Sequence, residues 1–369
     1  MGLLSSVVRC LAGPFRCFAS TGTGGRASRR DDDDQDWKDC HDYAGTLYPD
    51  ATEIKPVEHQ GACSYTLLVS QHSTEEKNQQ QGLILQFRPV RYALDHDIAR
   101  RAREVYGELA PVTSSRGRLR RKGPHMSCQV LEMSLVPGIR LSETLPKTKV
   151  LADRDLASLH TLLEGLASFL LAGVTAAATS TERRRRRGKI GSSILPRLQK
   201  LARELPTAFL RMKADDSLKA VQGGALERLP VVLTHGDLLP SNVMVDRATW
   251  KLNGLVDWAE SEDLPFGVAL YGVEHLLGCL EEGQGGKERW VWYEQAKELR
   301  RSFELKLREG LSSAIKEADV KVARDVGVLL WHGYAWDDGQ IDRVVNEEDD
   351  ALELAYLRAL LEDRSSPQR

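Results

Sequence analysis

Between residues 231 and 258 the chain sets three short apolar runs around a few polar residues, and this stretch limits the fold more than any other. Val231-Val232-Leu233 leads into Thr234-His235-Gly236-Asp237. Asn242 comes five residues after Asp237, and Val243-Met244-Val245 starts directly behind it. Leu252 to Val256 is the third run and ends in Asp257-Trp258. Apolar runs this short, bounded by Gly, Pro, Asn and Asp, read as buried strands. Strand ends then deliver Asp237, Asn242 and Asp257 to one neighbourhood.

Those residue types suit phosphate chemistry. A substrate hydroxyl needs a carboxylate to orient it and take its proton, and nucleotide phosphates need Mg²⁺ held by oxygen ligands. Asp237 suits the first task, Asn242 and Asp257 the second. His235 fits a bracing role in the loop better than an action on substrate. Taken singly, an Asp after a strand is commonly a cap and an Asn a turn former. The joint spacing carries the functional reading. A metal hydrolase built on His235 and Asp237 lacks further histidine ligands nearby in sequence.

Upstream, Glu53–His59 and Ser64–Val69 read as two strands around a turn, 71–81 as a polar loop, and Gly82–Arg88 as a third strand stopped by Pro89. Asp95–Leu109 carries Ile98, Ala102, Val105 and Leu109 at helical spacing. Arg116–Gly123 reads as a basic turn region and Met126–Met133 as a further strand. After Pro137-Gly138 the pattern is helical, with helices expected over 153–178, 194–213, 287–311, 318–333 and 349–362. Sheet first and helices afterwards predict an α+β chain of two lobes. The expected division is a disordered or targeting tail over 1–40, an N-lobe over 41–133, a helical C-lobe over 134–363 and a short tail over 364–369.

With 369 residues and a hydrophobic fraction of 41% the chain can bury a large core. A net charge of −2 gives no overall field toward nucleic acid or a membrane surface, so neither is expected as a partner. Six scattered cysteines, without CxxC or CxxH, fit a reducing compartment rather than a disulfide framework or zinc site. The first thirty residues hold five arginines and no acid before Asp31–Asp34 reverses the sign. That composition fits a mitochondrial transit peptide. Met1-Gly2-Leu3-Leu4-Ser5-Ser6 fits a myristoylation signal, with Cys10 and Cys17 near for a second lipid. A plain disordered tail fits equally, and the cytoplasm is the expected location. Gly165–Thr181 carries no charge but is weakly apolar, and reads as a buried core helix rather than a stable membrane insertion. Arg183–Arg187 cannot sit in a core and marks a solvated loop.

The segment Leu233–Gly278 closely resembles the aminoglycoside phosphotransferase/choline kinase-like superfamily, in particular its fungal members. The resemblance extends to Gln60–Thr66, Leu85–Arg88, Val105–Pro111 and Leu329–Val345, and covers roughly 55–362. It implies a bilobal protein-kinase-like fold, with a small antiparallel N-lobe sheet carrying one helix and a mainly helical C-lobe. It also implies an ATP- and Mg²⁺-dependent transfer of phosphate to the hydroxyl of a small molecule, and a monomer is the expected state. Asp237 matches the family's base, His235 its motif histidine, and Asn242 and Asp257 its two Mg²⁺ positions. Trp258 takes the aromatic place after the metal-binding Asp.

The phosphate-gripping side departs from that pattern. Kinase-like folds use a strand lysine paired with a helix glutamate, and 82–88 holds no lysine. Gln86 and Arg88 alternate to one face of that strand, with Glu104, Asp95 or Asp97 as partners. Gly61 and Ser64 lie in a turn whose backbone N–H groups could meet phosphate, though it lacks the glycine density of a protein-kinase phosphate loop. Glu132 and Met133 open the expected hinge, where backbone groups meet adenine, with Leu85 and Val130 or Leu131 along the ring. The missing lysine keeps a nucleotide-binding or scaffolding pseudokinase as the alternative. The acidic run Glu260–Asp263 leaves open an amino-bearing acceptor.

Overall fold

The computed structural model describes residues 26–61, 63–71, 81–120, 127–179, 190–283, 288–335 and 341–362. Residues 1–25, most of the 71–81 loop and the arginine run 183–187 lie outside them. The chain divides into two compact units, one of residues 1–103 and 110–136, the other of 104–109 and 137–369.

The first unit is a five-stranded antiparallel sheet in the order β1-β2-β3-β5-β4. Before it runs α1 (Arg26–Leu47), followed by β1 (Ala51–Pro56), β2 (Tyr65–Gln71) and β3 (Gln81–Pro89), then α2 (His96–Tyr106), β4 (Thr113–Arg120) and β5 (Ser127–Ser134). The register pairs Tyr65 with Phe87, Leu67 with Leu85 and Phe87 with Val130. Alternation therefore puts these residues on one face, where they meet Cys40, Ala44 and Tyr48 of the α1 region in a single core. Trp37 sets its ring edge against Tyr65 at 4.0 Å. The expected tail over 1–40 is thus too long: Trp37 and Cys40 belong to the core, drawn in by burial of their apolar side chains.

Two further expectations change here. Residues 116–120, read as a basic turn, belong to β4, an edge strand with an almost wholly exposed surface. Edge strands carry charges that block further pairing, so the apolar alternation that marks a strand is missing. Asp95, weighed as an ion-pair partner, accepts the Asp97 amide at 2.9 Å and caps α2.

The second unit opens with β6 (Ile139–Arg140), α3 (Asp153–Thr179), α4 (Ile194–Glu204) and α5 (Ala208–Gln222). The site region follows in β7 (Val231–Thr234), β8 (Val243–Val245), β9 (Leu252–Leu255) and β10 (Glu262–Pro265). Then come α6 (Tyr271–Glu274), β11 (Gly278–Glu282), β12 (Glu288–Trp292), α7 (Ala296–Gly310), α8 (Glu317–His332) and α9 (Ala351–Leu361). β6, β8 and β9 form one small antiparallel sheet, β7 and β10 a second, β11 and β12 a third. By length and composition α3 could cross a membrane. Its Leu159, Leu162, Leu163, Leu166 and Phe169 are buried in the unit instead, and it packs on β7, β9 and α7.

The stretch 194–213, read as one helix, is broken at Leu205-Pro206, because a residue before proline is pushed out of the helical region. The next helix restarts on Thr207, whose hydroxyl accepts the Leu210 amide at 3.3 Å. Residues 288–292, read as the start of a helix, are strand β12, with Trp290 opposite Leu280 and Trp292 opposite Gly278. A Cβ on Gly278 would lie 2.3 Å from the Val291 carbonyl oxygen, so this close approach needs glycine.

Candidate active site

The site is built on the ends of β7, β8 and β9. At the end of β7 the chain turns at Gly236 with φ of 79°, where a Cβ would stand 1.8 Å from the carbonyl oxygen of Glu260. Only glycine passes this point, and it throws Asp237 out of the strand direction. His235 is buried, and its Nε2 faces the Val256 carbonyl at 3.0 Å while Nδ1 faces the Asp237 amide at 3.3 Å. A carbonyl needs a donor and an amide needs an acceptor, so the ring is the neutral Nε2–H tautomer. Burial pulls its pKa down to about 4, against the field of Asp257. The Ser261 hydroxyl donates to the His235 carbonyl at 2.9 Å. His235 thus ties the loop after β7 to the strand that leads into Asp257.

Asn242 faces two acceptors, the Asp237 carbonyl at 3.0 Å and its carboxylate Oδ2 at 2.8 Å. The group between them has to be the amide NH₂, which turns the Asn242 oxygen the other way. Asp237 Oδ1 is withdrawn from solvent and has no hydrogen-bond partner among the described residues. Burial first, then the nearby Asp257 charge, push the Asp237 carboxyl up to about 7, against the Asn242 hydrogen bond.

Asp257 is an exposed residue in the left-handed region, at φ 62° and ψ 68°. The Val256 amide donates to the Asn242 carbonyl at 2.9 Å and joins the two segments. Trp258 follows into the core, donating its indole N–H to the Leu255 carbonyl at 2.9 Å. Its ring lies 4.7 Å from His235 and 5.3 Å from Tyr106, which stacks on Phe169 at 4.3 Å. Tyr106 in turn donates its hydroxyl to the Leu233 carbonyl on β7. This aromatic column is the floor of the site. Sequence reasoning did not reach Tyr106, because an aromatic on a helix carries no mark of the strand it will meet.

Mg²⁺ prefers oxygen ligands and keeps several waters. The Asn242 side-chain oxygen and the Asp257 carboxylate are such a donor set, beside a buried carboxylate oxygen without a partner. No cluster of three or more His, Cys, Asp or Glu in metal-holding geometry occurs among the described residues. The donors therefore fit a hard ion shared with phosphates and water, not a closed protein cage.

The other candidates lie in the first unit, apart from Glu104, which is exposed near the end of α2 in the segment that groups with the second unit. Arg88 is 3% exposed and gives its Nε to the Tyr92 carbonyl at 2.8 Å and an NH group to Gln86 at 3.1 Å. Gln86 and Arg88 share the face opposite the α1 core, where Gln86 also donates to Thr66 at 3.3 Å. Leu85 and Val130 point to the α1 side, so only Leu131 of the three suggested ring contacts is on the face of Gln86 and Arg88.

Glu132 is also on the α1 side, where its carboxylate takes the Tyr48 hydroxyl and, at 2.6 Å, Arg116. The side chain thus joins β5 to Tyr48, just past α1, and to Arg116 of β4. Glu132 and Met133 are paired with both β3 and β4, so their backbone groups are spent in the ladder. The chain leaves the ladder only at Leu135. Ser64 is buried, and Gly61 has room for a Cβ, whose nearest neighbour would be Ser64 at 3.5 Å. The turn is held by Gln60, which bonds Thr66 through both its amide nitrogen and oxygen at 2.8 Å.

A family model described as the phosphotransferase enzyme family matches residues 75–268, more than half of the chain and the whole segment from Val231 to Trp258. The chain belongs to this family. Among solved structures, this phosphotransferase-family chain is similar to a thermostable mutant of aminoglycoside phosphotransferase APH(4)-Ia in ternary complex with ADP and hygromycin B. The two are 13% identical over 89% of this chain and 99% of the other, with a TM-score of 0.53. A second mutant of that enzyme, in complex with AMP-PNP and hygromycin B, is 13% identical over 87% and 97%, at 0.51. Choline kinase LicA from Streptococcus pneumoniae is 13% identical over 80% and 88%, at 0.46. No curated protein sequence matches the chain. The α+β architecture of this family member is the kinase-like one of the first two structures.

Proposed function

We propose that the chain transfers the γ-phosphate of ATP to a hydroxyl of a small molecule, with Asp237 as the base. The observation that carries this is the Asp237 carboxylate itself. One oxygen is fixed by Asn242, and the other is buried without a partner. A buried acceptor left open costs free energy unless a donor arrives, and a substrate hydroxyl is such a donor. In the transfer, the hydroxyl oxygen forms its bond to the γ-phosphorus as the bond to the β–γ bridging oxygen breaks. The hydroxyl proton goes to Asp237, and ADP leaves. A carboxyl near pH 7 is well placed to accept that proton. Asn242 and Asp257 would hold Mg²⁺, which supplies positive charge against the phosphates when bound. His235 keeps the loop in place and remains neutral.

The complexes of similar enzymes with ADP and AMP-PNP support a nucleotide as donor. The test is ADP formation against a panel of hydroxyl-bearing acceptors, with Asp237→Ala as control. Acceptor-dependent ADP release lost in the variant is expected, and no release with any acceptor overturns the proposal.

A second reading, a nucleotide-binding pseudokinase, is favoured by one observation. Arg88, the cation on the strand where kinase-like folds use lysine, is buried and bonded to Tyr92 and Gln86. Thermal-shift titration with ATP and Mg²⁺ separates the two: stabilisation without turnover on any acceptor favours the pseudokinase.

A further inference from the structure

We infer that Tyr271 is a positioning residue for the base, holding the loop on both sides of Asp237 through one hydroxyl. The role rests on the proposed phosphotransfer. The Tyr271 hydroxyl accepts the Leu238 amide at 3.2 Å and donates to the Gly236 carbonyl at 3.1 Å. These are the peptide groups directly before and after Asp237. A hydroxyl has a single proton, and here the Leu238 amide occupies its acceptor side, so the proton is directed at Gly236. Burial and the Asp237 charge hold the phenol well above its ordinary pKa, so it keeps that proton.

Two contacts fix the hydroxyl in turn. The Tyr271 ring stacks on Trp331 of α8, with centroids 4.9 Å apart and planes 13° from parallel. Gly272 presses its backbone on the same loop, since a Cβ there would stand 2.2 Å from the Leu238 carbonyl oxygen. Tyr271 and Gly272 together therefore grip Gly236 and Leu238, and no other partner for that carbonyl or that amide occurs among the described residues. Gly236 is already the hinge of the loop, at φ 79°. A free peptide on either side of Asp237 would let the carboxylate swing about that hinge. Proton transfer between positioned groups tolerates little such movement, and a misplacement of ~1 Å costs on the order of 100-fold in rate.

The test uses the full chain as wild type, Tyr271→Phe and Asp237→Ala, with ATP, Mg²⁺ and an acceptor from the panel. Phenylalanine keeps the ring on Trp331 and removes only the hydroxyl. The expected result is a kcat reduced ~10- to 100-fold with KM for ATP changed less than about twofold. Amide exchange should rise in the peptide covering 236–242 and stay unchanged elsewhere. An active wild type matched by Tyr271→Phe in kcat overturns the positioning role alone. So does a fall in kcat accompanied by a lower Tm and faster exchange throughout the chain, which is general loosening. A wild type that forms no ADP overturns the phosphotransfer proposal first and takes this role with it.

Discussion

Asp237 is held in a state that costs the fold something. Its carboxyl is raised from 3.8 to about 7, mainly by burial and then by Asp257. Below pH ~4 it is protonated in both folded and unfolded chains. Between there and 7 the unfolded carboxyl ionises while the folded one does not, so stability falls as pH rises through that window and the full cost remains above it. Asp237→Asn should therefore raise Tm by ~2–4 °C at pH 8 and leave it nearly unchanged at pH 4, as differential scanning calorimetry would show. The same substitution should lower turnover by roughly 10²–10⁴-fold. A wild-type kcat/KM that rises with pH toward 7 and then levels would match the titration. Gly236→Ala is the steric counterpart. Its new methyl meets the Glu260 backbone and its φ is left-handed, so a loss of about 3 kcal/mol or more is expected in denaturant unfolding.

At the scale of elements, the positions of the proposed active residues follow from strand ends and tight crossings. The motif from His235 to Asp257 was legible because apolar strands, a glycine and spaced polar residues leave few alternatives. The three side chains do come together, Asn242 on Asp237 and Asp257 close by. The hairpin of β11 and β12 was not legible. Trp290 and Trp292 fit helix and strand alike, and what decides between them is the backbone of Gly278, 14 residues before Trp292. Gly278→Ala should cost about 1–3 kcal/mol by equilibrium unfolding, through overpacking against Val291 and Trp290. Thr207→Ala, at the restart after Pro206, should cost ~1 kcal/mol through loss of the cap.

Across the whole molecule the second unit buries histidines that have to stay neutral. His275 and His332 share a hydrogen bond between their Nε2 atoms at 3.1 Å, with the Tyr356 ring against both. Burial lowers His275 to about 4 and takes His332 well below its ordinary value, as it lowers His235 to about 4. In the unfolded chain all three charge near pH 6.5. The stability is complete above that value and is lost as pH falls from ~6.5 toward 4. Tm should drop steeply over this window, and His332→Phe should flatten the drop.

The sequence by itself determined the short strands that frame the candidate site and the closeness of Asp237, Asn242 and Asp257. Local spacing and apolar periodicity encode these directly, since a strand end points its next residue one way. Only the tertiary structure decided which face of the first sheet α1 covers, and with it that Glu132 joins Tyr48 and Arg116. It also decided that Trp37 and Cys40 enter a core and that Tyr271 grips the loop around Asp237. Those contacts join residues as far as 84 positions apart, and no periodicity within one segment records which distant surface it will meet.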